Sequence, residues 1–371
     1  MTHPPLFSPI TLRGLTLPNR VVVAPMCQYS AVEGCARDWH LQHYGALAAS
    51  GPGLIVIEAT GVAPEGRISP GCLGLYDDAS EAAFTRLVAA LKGFGNSRIA
   101  VQLGHAGRKA ASAQPWHGNG PAETGRWETV APSPLPFDAG WPAPRELTGT
   151  DLDRLVQAFA DSAGRAVRAG FDTIEIHSAH GYLLHQFLSP LSNHRTDGYG
   201  GSLEHRMAFP LAVIRAVRAV WPADRPLGIR ISATDWLDGG FTADEAVTYA
   251  RAFKAEGIDY VCVSSGGVVP SAPIPVGPGY QVFLAERIRR ETGLTVRAVG
   301  LIADPHQANT VIAEGEADLV AIGRGFLDNP RWVWHAALAL GTEIAYPPQY
   351  VRAAPRSWPG AALAHPTAPP R

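Results

Sequence analysis

Several features that define other classes of protein are scarce or missing in this chain of 371 residues. The cysteines are few, and none forms a C-x-x-C pair, which argues against a structural zinc site or an iron–sulfur cluster; they are Cys27, Cys35, Cys72 and Cys262. No apolar run reaches the ~18 residues that a membrane helix needs. No cationic segment followed by an apolar core begins the sequence, so we expect no secretory signal and a cytoplasmic protein with free thiols.

Charge is also sparse. Charged residues make up 17% of the chain and the net charge is −2, without a basic stripe, so we expect no nucleic-acid partner. The lysines, which are Lys92, Lys109 and Lys254, do not end any predicted strand, and this counts against Schiff-base chemistry. We predict no metal site. Hydrophobic residues, at 46%, suffice for a large core, and one α/β barrel can accommodate a chain of this length.

The chain does contain eight short, largely apolar segments, mostly followed by helix-like sequence. Apolar runs that do not alternate with polar residues are typical of parallel strands buried on both faces. The segments cover residues 21–26, 54–59, 99–103, 173–177, 227–232, 260–265, 295–300 and 319–324. Eight strand–helix units predict a TIM (β/α)8 barrel.

The helices between these strands share one plan. An apolar stripe runs along residues 151–168, after a Thr150 or Asp151 cap and before Gly170, which should end the helix. The same pattern predicts helices over residues 243–256 and 306–314.

Three further segments surround the predicted barrel. Residues 6–17 resemble a hairpin that would cover its bottom, and residues 113–147 form a long insertion after strand three, which we expect over its mouth. We predict one barrel domain, residues 1–358, followed by a flexible tail rich in proline and alanine, residues 359–371.

The strongest functional signal follows strand four, where His177, His180 and Tyr182 leave the strand together. Catalytic groups of such barrels lie at the C-terminal ends of the strands. Two imidazoles and a phenol can hold a polar substrate atom and deliver a proton to its neighbour. A single histidine or tyrosine at a strand end is more often structural, but three together, before a polar and glycine-rich loop, indicate a site.

Other strand ends carry further candidates. Arg230 lies inside the apolar segment LGIRIS, where a guanidinium needs a strong partner. It is either in a salt bridge with Glu175 or Glu58, or a fixed charge beside a ligand that becomes negative. Strands seven and eight end in residues suited to the phosphate site that is common in this fold, namely Gly300, Gly323 and Arg324.

Cys27 stands at the end of strand one, close to Tyr29. Most buried cysteines are small core residues, but this position favours an active-site thiol. A covalent role would need an adjacent base, and the sequence shows none.

The segments APMCQYS, QLGHAGRK, EIHSAHGYLLHQFLSPLSNHRTDGYGG, GIRIS and AIGR resemble the Old Yellow Enzyme family of FMN-dependent ene-reductases. The resemblance is greatest to its YqjM-like or thermophilic-like branch, which includes xenobiotic reductase A, and it runs from about residue 6 to residue 358. It implies a non-covalent FMN across the barrel mouth, NADPH or NADH as hydride donor, and activated alkenes as substrates. Hydride would pass through the flavin to the β-carbon, and a tyrosine would protonate the α-carbon.

The resemblance also implies a role for each candidate residue. His177 and His180 would hydrogen-bond the substrate carbonyl oxygen, and Tyr182 would donate the proton, since a phenol with a pKa near ~10 stays protonated at neutral pH. Tyr29 would be a second substrate contact. Arg230 would stabilise negative charge on the reduced flavin. The residues implied to bind FMN are Ala24, Pro25, Met26, Cys27, Ala59, Gln102, His177, Arg230, Gly300, Gly323 and Arg324, of which Cys27 would also tune the flavin potential and the substrate fit.

In this branch the C-terminal segment reaches into the active site of a neighbouring subunit. The resemblance therefore implies a homodimer or a dimer-of-dimers tetramer, with Arg352 or Trp358 as the residue that reaches across. Three alternatives stay open: a flavin-free phosphate-binding barrel such as an aldolase or isomerase, a flavin reductase for an acceptor such as a dienoyl-CoA, and a non-catalytic binding protein on a degenerate barrel.

Overall fold

The computed structural model describes residues 4–118 and 120–364, and it contains the expected TIM barrel. Parallel strands follow one another around the barrel in chain order, and pairing between the last and the first closes it. They are β3 (Val21–Val23), β4 (Leu54–Gly61), β5 (Arg98–Gly104), β8 (Thr173–Ser178), β9 (Leu227–Ser232), β10 (Tyr260–Ser264), β11 (Thr295–Ala298) and β12 (Leu319–Ile322).

An antiparallel hairpin of β1 (Ile10–Leu12) and β2 (Leu15–Leu17) precedes the barrel, as predicted. Its inward leucines pack in one cluster with the first residues of three barrel strands, which are Leu54, Tyr260 and Leu319. The hairpin therefore covers the N-terminal end of the barrel, and the opposite end is left for the site.

Helices surround the barrel on the outside. They are α1 (Asp38–Ala48), α2 (Asp78–Lys92), α3 (Gly149–Ala169), α4 (Leu183–Leu188), α5 (Leu203–Val220), α6 (Ala243–Ala255), α7 (Val282–Thr292), α8 (Pro305–Ala313), α9 (Arg324–Asp328), α10 (Trp332–Ala339) and α11 (Ala361–Ala364). Short 3-10 helices cover Pro5–Phe7, Pro64–Gly66, Gly107–Lys109, Pro115–His117, Pro348–Ala353 and Pro355–Ser357. Each helix of the described residues is too short or too polar to span a bilayer.

The start of α3 differs from the prediction, which placed the cap at Thr150 or Asp151. Thr148 is the cap: its hydroxyl accepts a hydrogen bond from the Asp151 N–H (3.2 Å), and the Asp151 carboxylate accepts one from the Thr148 N–H (2.9 Å). This reciprocal capping box satisfies two backbone donors and fixes the first turn. Gly170 ends the helix as predicted, in a left-handed conformation with φ of 88°.

Four strands end earlier than predicted, and β10 does so by one residue, at Ser264. β3 stops at Val23 because Pro25 has no N–H with which to continue the ladder. β11 ends before Gly300, whose φ is 132°. β12 ends before Gly323, whose backbone also leaves the extended region. Arg324 therefore begins α9 instead of ending a strand.

The insertion at residues 113–147 contains a short parallel pair, β6 (Val130–Ala131) and β7 (Arg145–Glu146). In the predicted flexible tail, residues 361–364 form α11, and residues 365–371 lie outside the described residues. Flexibility of the tail and the division at residue 358 stay predictions.

Candidate active site

His177, His180 and Tyr182 lie together where β8 ends. The ring centroid of His177 is 5.1 Å from that of His180 and 4.9 Å from that of Tyr182, and both pairs meet edge to face. His180 and Gly181 have left-handed backbones, with φ of 58° and 70°. A Cβ on Gly181 would lie 2.1 Å from the carbonyl oxygen of Gly267, so only glycine allows this tight turn.

Hydrogen bonds orient the two imidazoles. The Ala179 N–H donates to Nδ1 of His177 (3.2 Å), so in the neutral ring the proton lies on Nε2, which is 3.4 Å from Nδ1 of His180. Nε2 of His180 is 2.8 Å from Oγ of Ser264 at the end of β10. Because a hydroxyl both donates and accepts, Ser264 is compatible with either neutral tautomer of His180. Ser264 was not among the predicted site residues, although the predicted strand six extended over it.

Burial determines the protonation of this group. Burial, and next the charge of Arg230, lowers the pKa of both His177 and His180 well below the ordinary value of 6.5. Burial also raises the pKa of the Tyr182 phenol well above its ordinary value of 10.0. At neutral pH the site therefore presents two neutral imidazoles, which can donate hydrogen bonds, and a phenol that keeps its proton.

Arg230 on β9 is buried beside this group, in register with His177 on one side and Cys262 on the other. Its Nε has no hydrogen-bond partner among residues 4–118 and 120–364. The salt-bridge alternative is wrong, because the two carboxylates have other partners: Glu175 pairs with Arg297, and Glu58 pairs with His40. The functional alternative, a fixed charge beside a ligand, is the one that remains.

A polar network that sequence reasoning missed crosses the barrel interior below this site. Gln102 on β5 donates from Nε2 to the Glu175 carboxylate on β8 (2.8 Å), and Arg297 on β11 donates to the other oxygen of the same carboxylate. β8 and β11 are not neighbours, so the ion pair spans the barrel, and all three side chains are buried. The network fixes the Gln102 amide at the level of the predicted cofactor site.

The segment after β3 carries the predicted flavin contacts Ala24 to Cys27, and β12 lies against it. A Cβ on Gly323 would lie 3.5 Å from Sδ of Met26, so glycine leaves a gap between the two elements. The buried Glu58 carboxylate accepts a hydrogen bond from the Gln28 N–H and contacts Nε2 of His40 at 3.1 Å. Ala59 follows Glu58 on β4, paired with Gln102.

Gly300 and Arg324, two of the predicted phosphate residues, both lie near Tyr280. A Cβ on Gly300 would lie 3.2 Å from the Tyr280 ring. Burial raises the pKa of Tyr280, and the charges of Arg324 and Arg230 oppose this shift. The exposed Arg324 at the start of α9 and the buried Arg230 therefore both lie near Tyr280. One ligand could place its phosphate at Arg324 and its ring system at Arg230.

The mouth of the site is bordered by the insertion, as expected. The ring of Trp116 meets that of Tyr29 edge to face at 5.9 Å. Lys109 donates from Nζ to the carbonyl oxygens of His180 (2.8 Å) and Gly267 (3.0 Å). Its ammonium also lies 4.5 Å and 5.1 Å from the ring centroids of two aromatic residues, Phe137 of the insertion and Tyr182.

Lys109 is a further residue that sequence reasoning missed, because only lysines at strand ends were considered. Burial, and next the charge of Arg108, lowers the pKa of Lys109 to about 7. It is therefore a cation whose charge changes near neutral pH, directly beside the His180–Tyr182 turn.

The C-terminal candidates do not join this group within one chain. Arg352 is exposed, and Nε1 of Trp358 donates to the carbonyl oxygen of Ala353 (3.2 Å). In the part of the chain that the structure describes, no hydrogen bond, ion pair or ring contact links either residue to His177, His180 or Tyr182.

The buried imidazoles also predict a pH dependence of stability. In the unfolded chain the pKa of a histidine is about 6.5. In the folded protein, mainly burial lowers the pKa of His105 to about 4, and it also lowers the pKa of His177 and of His180. Below pH 6.5 the unfolded state therefore binds more protons, so this stability is present above pH 6.5 and is lost as the pH falls. We expect the unfolding free energy to fall by about 1 kcal/mol per pH unit for each of these imidazoles between pH 6 and pH 5.

Urea unfolding at pH 7, 6 and 5 measures this slope, and His105→Gln should make it shallower. A stability that does not change across this range would contradict buried neutral imidazoles.

A closed barrel with paired imidazoles and a buried arginine towards its strand ends defines a TIM-barrel protein with a candidate active site, and comparison with known proteins identifies the family. The model of the NADH:flavin oxidoreductase / NADH oxidase family matches residues 5–343. The NADPH dehydrogenase of Geobacillus thermodenitrificans is 51% identical over 94% of this chain and 98% of its own length. That of Listeria innocua is 45% identical over the same shares. The solved structure of morphinone reductase has a TM-score of 0.76 and 31% identity, over 94% of this chain and 93% of that one.

The chain belongs to the NADH:flavin oxidoreductase family, also known as the Old Yellow Enzyme family. The expected resemblance is thereby confirmed, together with its coarse consequences: an oxidoreductase that uses FMN and a reduced nicotinamide donor.

Proposed function

We propose that this protein is an ene-reductase that uses FMN and NADPH or NADH to reduce alkenes activated by a carbonyl or nitro group. The observation that carries the proposal is one constellation: two neutral imidazoles and a protonated phenol in mutual contact, beside a buried arginine whose Nε lacks a partner. Hydrogen-bond donors, a proton and a fixed positive charge are what alkene reduction needs, since negative charge develops on the activating oxygen.

The residues fit FMN as a ligand. Arg230 offers an unsatisfied buried donor, Gln102 is held by Glu175, and Gly323 leaves space beside Met26. Gly300 and Arg324 are suited to its phosphate, and Ala24, Pro25, Cys27, Ala59 and His177 complete the proposed binding set. When bound, FMN supplies the hydride chemistry, accepting from the nicotinamide and donating to the alkene.

The chain's own residues hold the substrate and supply the proton. Nε2–H of His177 points towards His180, so a substrate oxygen held between the two rings can accept a hydrogen bond from His177. The same oxygen can accept a second one from Nδ1–H of His180, in the tautomer whose Nε2 accepts a hydrogen bond from Ser264. These donors stabilise the enolate oxygen. Tyr182, adjacent to His177, then delivers its proton to the α-carbon, and Tyr29 lines the other side of the mouth.

A visible absorption spectrum, followed anaerobically while NADPH and then 2-cyclohexenone are added, tests the proposal. We expect a flavin spectrum that bleaches with NADPH and returns with the enone. Bleaching without recovery would move the substrate to another class, such as a dienoyl-CoA. A protein that takes up no FMN would favour a flavin-free aldolase- or isomerase-like barrel or a non-catalytic binding protein.

We also propose that the barrel acts as a cytoplasmic homo-oligomer, a dimer or a dimer of dimers. Arg352 is exposed and Trp358 is 37% exposed on a C-terminal segment that is separate from the chain's own site, so either is available to a neighbouring subunit. Sedimentation of the wild-type protein measures the oligomeric state. A second experiment mixes subunits that carry Arg352→Ala with subunits that carry Tyr182→Phe. If a site is shared between subunits, the mixture should recover part of the activity that each variant lacks alone.

Lys109 gives the proposed reaction a pH dependence. With its pKa lowered to about 7, the ammonium is charged below pH 7 and stabilises negative charge near His180, so reoxidation by an enone should slow as the pH rises through 7. We expect a decrease of about tenfold between pH 6 and pH 8.5. Lys109→Met keeps the length of the side chain and should be slow and flat across this range in anaerobic stopped-flow experiments. A wild-type profile without this ionisation would contradict the role of Lys109.

A further inference from the structure

A buried histidine and a buried aspartate lie directly behind the turn of His180 and Gly181. His185 is on α4, Asp235 is in the loop after β9, and both side chains are fully buried. The Gly181 N–H donates to Nδ1 of His185 (2.9 Å), and Nε2 of the same ring lies 3.0 Å from Oδ1 of Asp235. Neither Nε2 nor Oδ1 has another partner among residues 4–118 and 120–364, so each depends on the other.

The Asp235 carboxylate is fixed from its other side. Its Oδ2 accepts hydrogen bonds from Oγ of Ser189 (2.6 Å) and from the Phe241 N–H (2.7 Å). A carboxylate only accepts, and a neutral imidazole that accepts at Nδ1 carries its proton on Nε2, which here faces Asp235. The aspartate therefore sets the tautomer in which His185 can hold the Gly181 N–H.

The turn that His185 holds has a strained backbone. His180 is not a glycine, yet its φ is 58°, and a backbone of this kind persists only where the surrounding structure holds it. The peptide group between His180 and Gly181 is held at both ends: its oxygen accepts from Nζ of Lys109 (2.8 Å), and its N–H donates to His185. Loss of either hydrogen bond would free this peptide group to rotate, and the His180 ring would move with it.

We propose that His185 and Asp235 are positioning residues of the candidate site, which hold the His180–Gly181 peptide so that the His180 imidazole faces the substrate oxygen. They act through the backbone of the turn. The inference rests on the proposed function, because that function gives His180 the hydrogen bond to the activating oxygen. It adds a requirement for one tautomer of His185, set by a carboxylate on the far side of the ring.

Asp235→Asn tests this requirement with almost no change in shape. The asparagine oxygen has to replace Oδ2, which accepts from the Phe241 N–H, so the NH2 group would face Nε2 of His185. Nε2 would then have to accept, the ring proton would move to Nδ1, and it would oppose the Gly181 N–H. We expect reoxidation by 2-cyclohexenone to slow about tenfold, because misplacement of a binding group by ~1 Å can cost about 100-fold, and reduction by NADPH to stay within about twofold.

Asp172→Asn is the matched control. The Asp172 carboxylate also accepts from a backbone N–H, that of Ile99 (2.8 Å), but it precedes β8 and so lies at the opposite end of the barrel from the site. Both half-reactions of this variant should match those of the wild-type enzyme. If Asp235→Asn instead lost FMN and slowed both half-reactions alike, the pair would serve the fold alone and the proposal would be overturned.

Two substitutions of His185 decide the question even if Asp235→Asn fails to fold. Asparagine offers an oxygen near the position of Nδ1, and its acceptor does not depend on a tautomer, whereas leucine fills similar space without an acceptor. His185→Leu should slow reoxidation by the enone about tenfold, and His185→Asn should stay within about threefold of wild type. Adding Asp235→Asn to His185→Asn should cost nothing further, since the link between the two positions is already gone. Equal rates in the leucine and asparagine variants would contradict the role of the hydrogen bond.

Hydrogen–deuterium exchange of the holoenzyme gives a readout that does not depend on turnover. Peptides that cover residues 179–183 should exchange at least about tenfold faster in Asp235→Asn than in the wild-type protein, and at the wild-type rate in Asp172→Asn. Unchanged exchange in Asp235→Asn would overturn the positioning role, and so would faster exchange with an unchanged rate of enone reduction. A wild-type enzyme that enones do not reoxidise would instead contradict the proposed function, so the two failures are distinguishable.

Discussion

Replacing Tyr182 with phenylalanine should slow reoxidation of the reduced enzyme by 2-cyclohexenone at least about 100-fold and leave reduction by NADPH within about twofold, because a positioned general acid typically contributes about 100-fold or more. The phenol adjoins His177, which we propose to hold the substrate oxygen, and burial raises its pKa so that the proton is present when it is needed. Phenylalanine keeps the ring that packs on His177 and removes only the hydroxyl group that carries the proton.

Anaerobic stopped-flow spectroscopy separates the two half-reactions. Tyr249→Phe is the matched control: it also removes one buried hydroxyl, which contacts Oγ of Ser178 at 3.3 Å, and we place it outside the site. Both of its rates should stay close to those of the wild-type enzyme. If the Tyr182 variant instead reduced the enone as fast as wild type, another group would have to supply the proton.

The barrel was predictable from the sequence because burial on both faces leaves a local signal. Segments such as residues 227–232 are continuously apolar, and β9 has these bounds in the structure. Strand ends were less certain, since pairing stops for reasons that lie in the partner strands and in single residues, such as Pro25 after β3 and Gly323 after β12. The catalytic group after β8 was found because its residues are close in sequence.

Contacts between distant parts of the chain left no comparable signal. Arg297 lies on β11, 122 positions from Glu175, and only closure of the barrel brings them together. For this reason Glu175 stayed a possible partner of Arg230 until the fold showed its pairing with Arg297. Ser264 was missed for the same reason, because it contacts His180 at the end of another strand. Lys109 lies outside the strands, and only the folded chain shows its Nζ at the carbonyl oxygen of His180.

The two buried arginines should respond in opposite ways to the same substitution. Arg230 on β9 and Arg297 on β11 lie at one level of the barrel, each in register with Cys262 on β10 between them. Arg297 has Glu175 as its partner, so Arg297→Met would leave an uncompensated buried carboxylate and should lower the unfolding free energy by about 3–5 kcal/mol. In Arg230 the Nε lacks any partner among the described residues, so Arg230→Met should leave the stability of the FMN-free protein unchanged or raise it.

The same Arg230→Met substitution should weaken FMN binding by about 10- to 100-fold, because a hydrogen bond to a charged group contributes about 1.5–3 kcal/mol. It should also slow flavin reduction by NADPH, since the positive charge that favours the reduced form is gone. Urea unfolding of the FMN-free variants measures stability, and fluorescence titration with FMN measures affinity. Arg230→Lys should recover part of the rate of flavin reduction but less of the affinity for FMN, because lysine keeps the charge without the planar guanidinium. An Arg230→Met protein that is much less stable without FMN, yet binds it as tightly as wild type, would mean that the guanidinium serves the fold. Arg297 forms an ion pair with Glu175, whereas Arg230 forms none among the described residues, and this points to the opposite result.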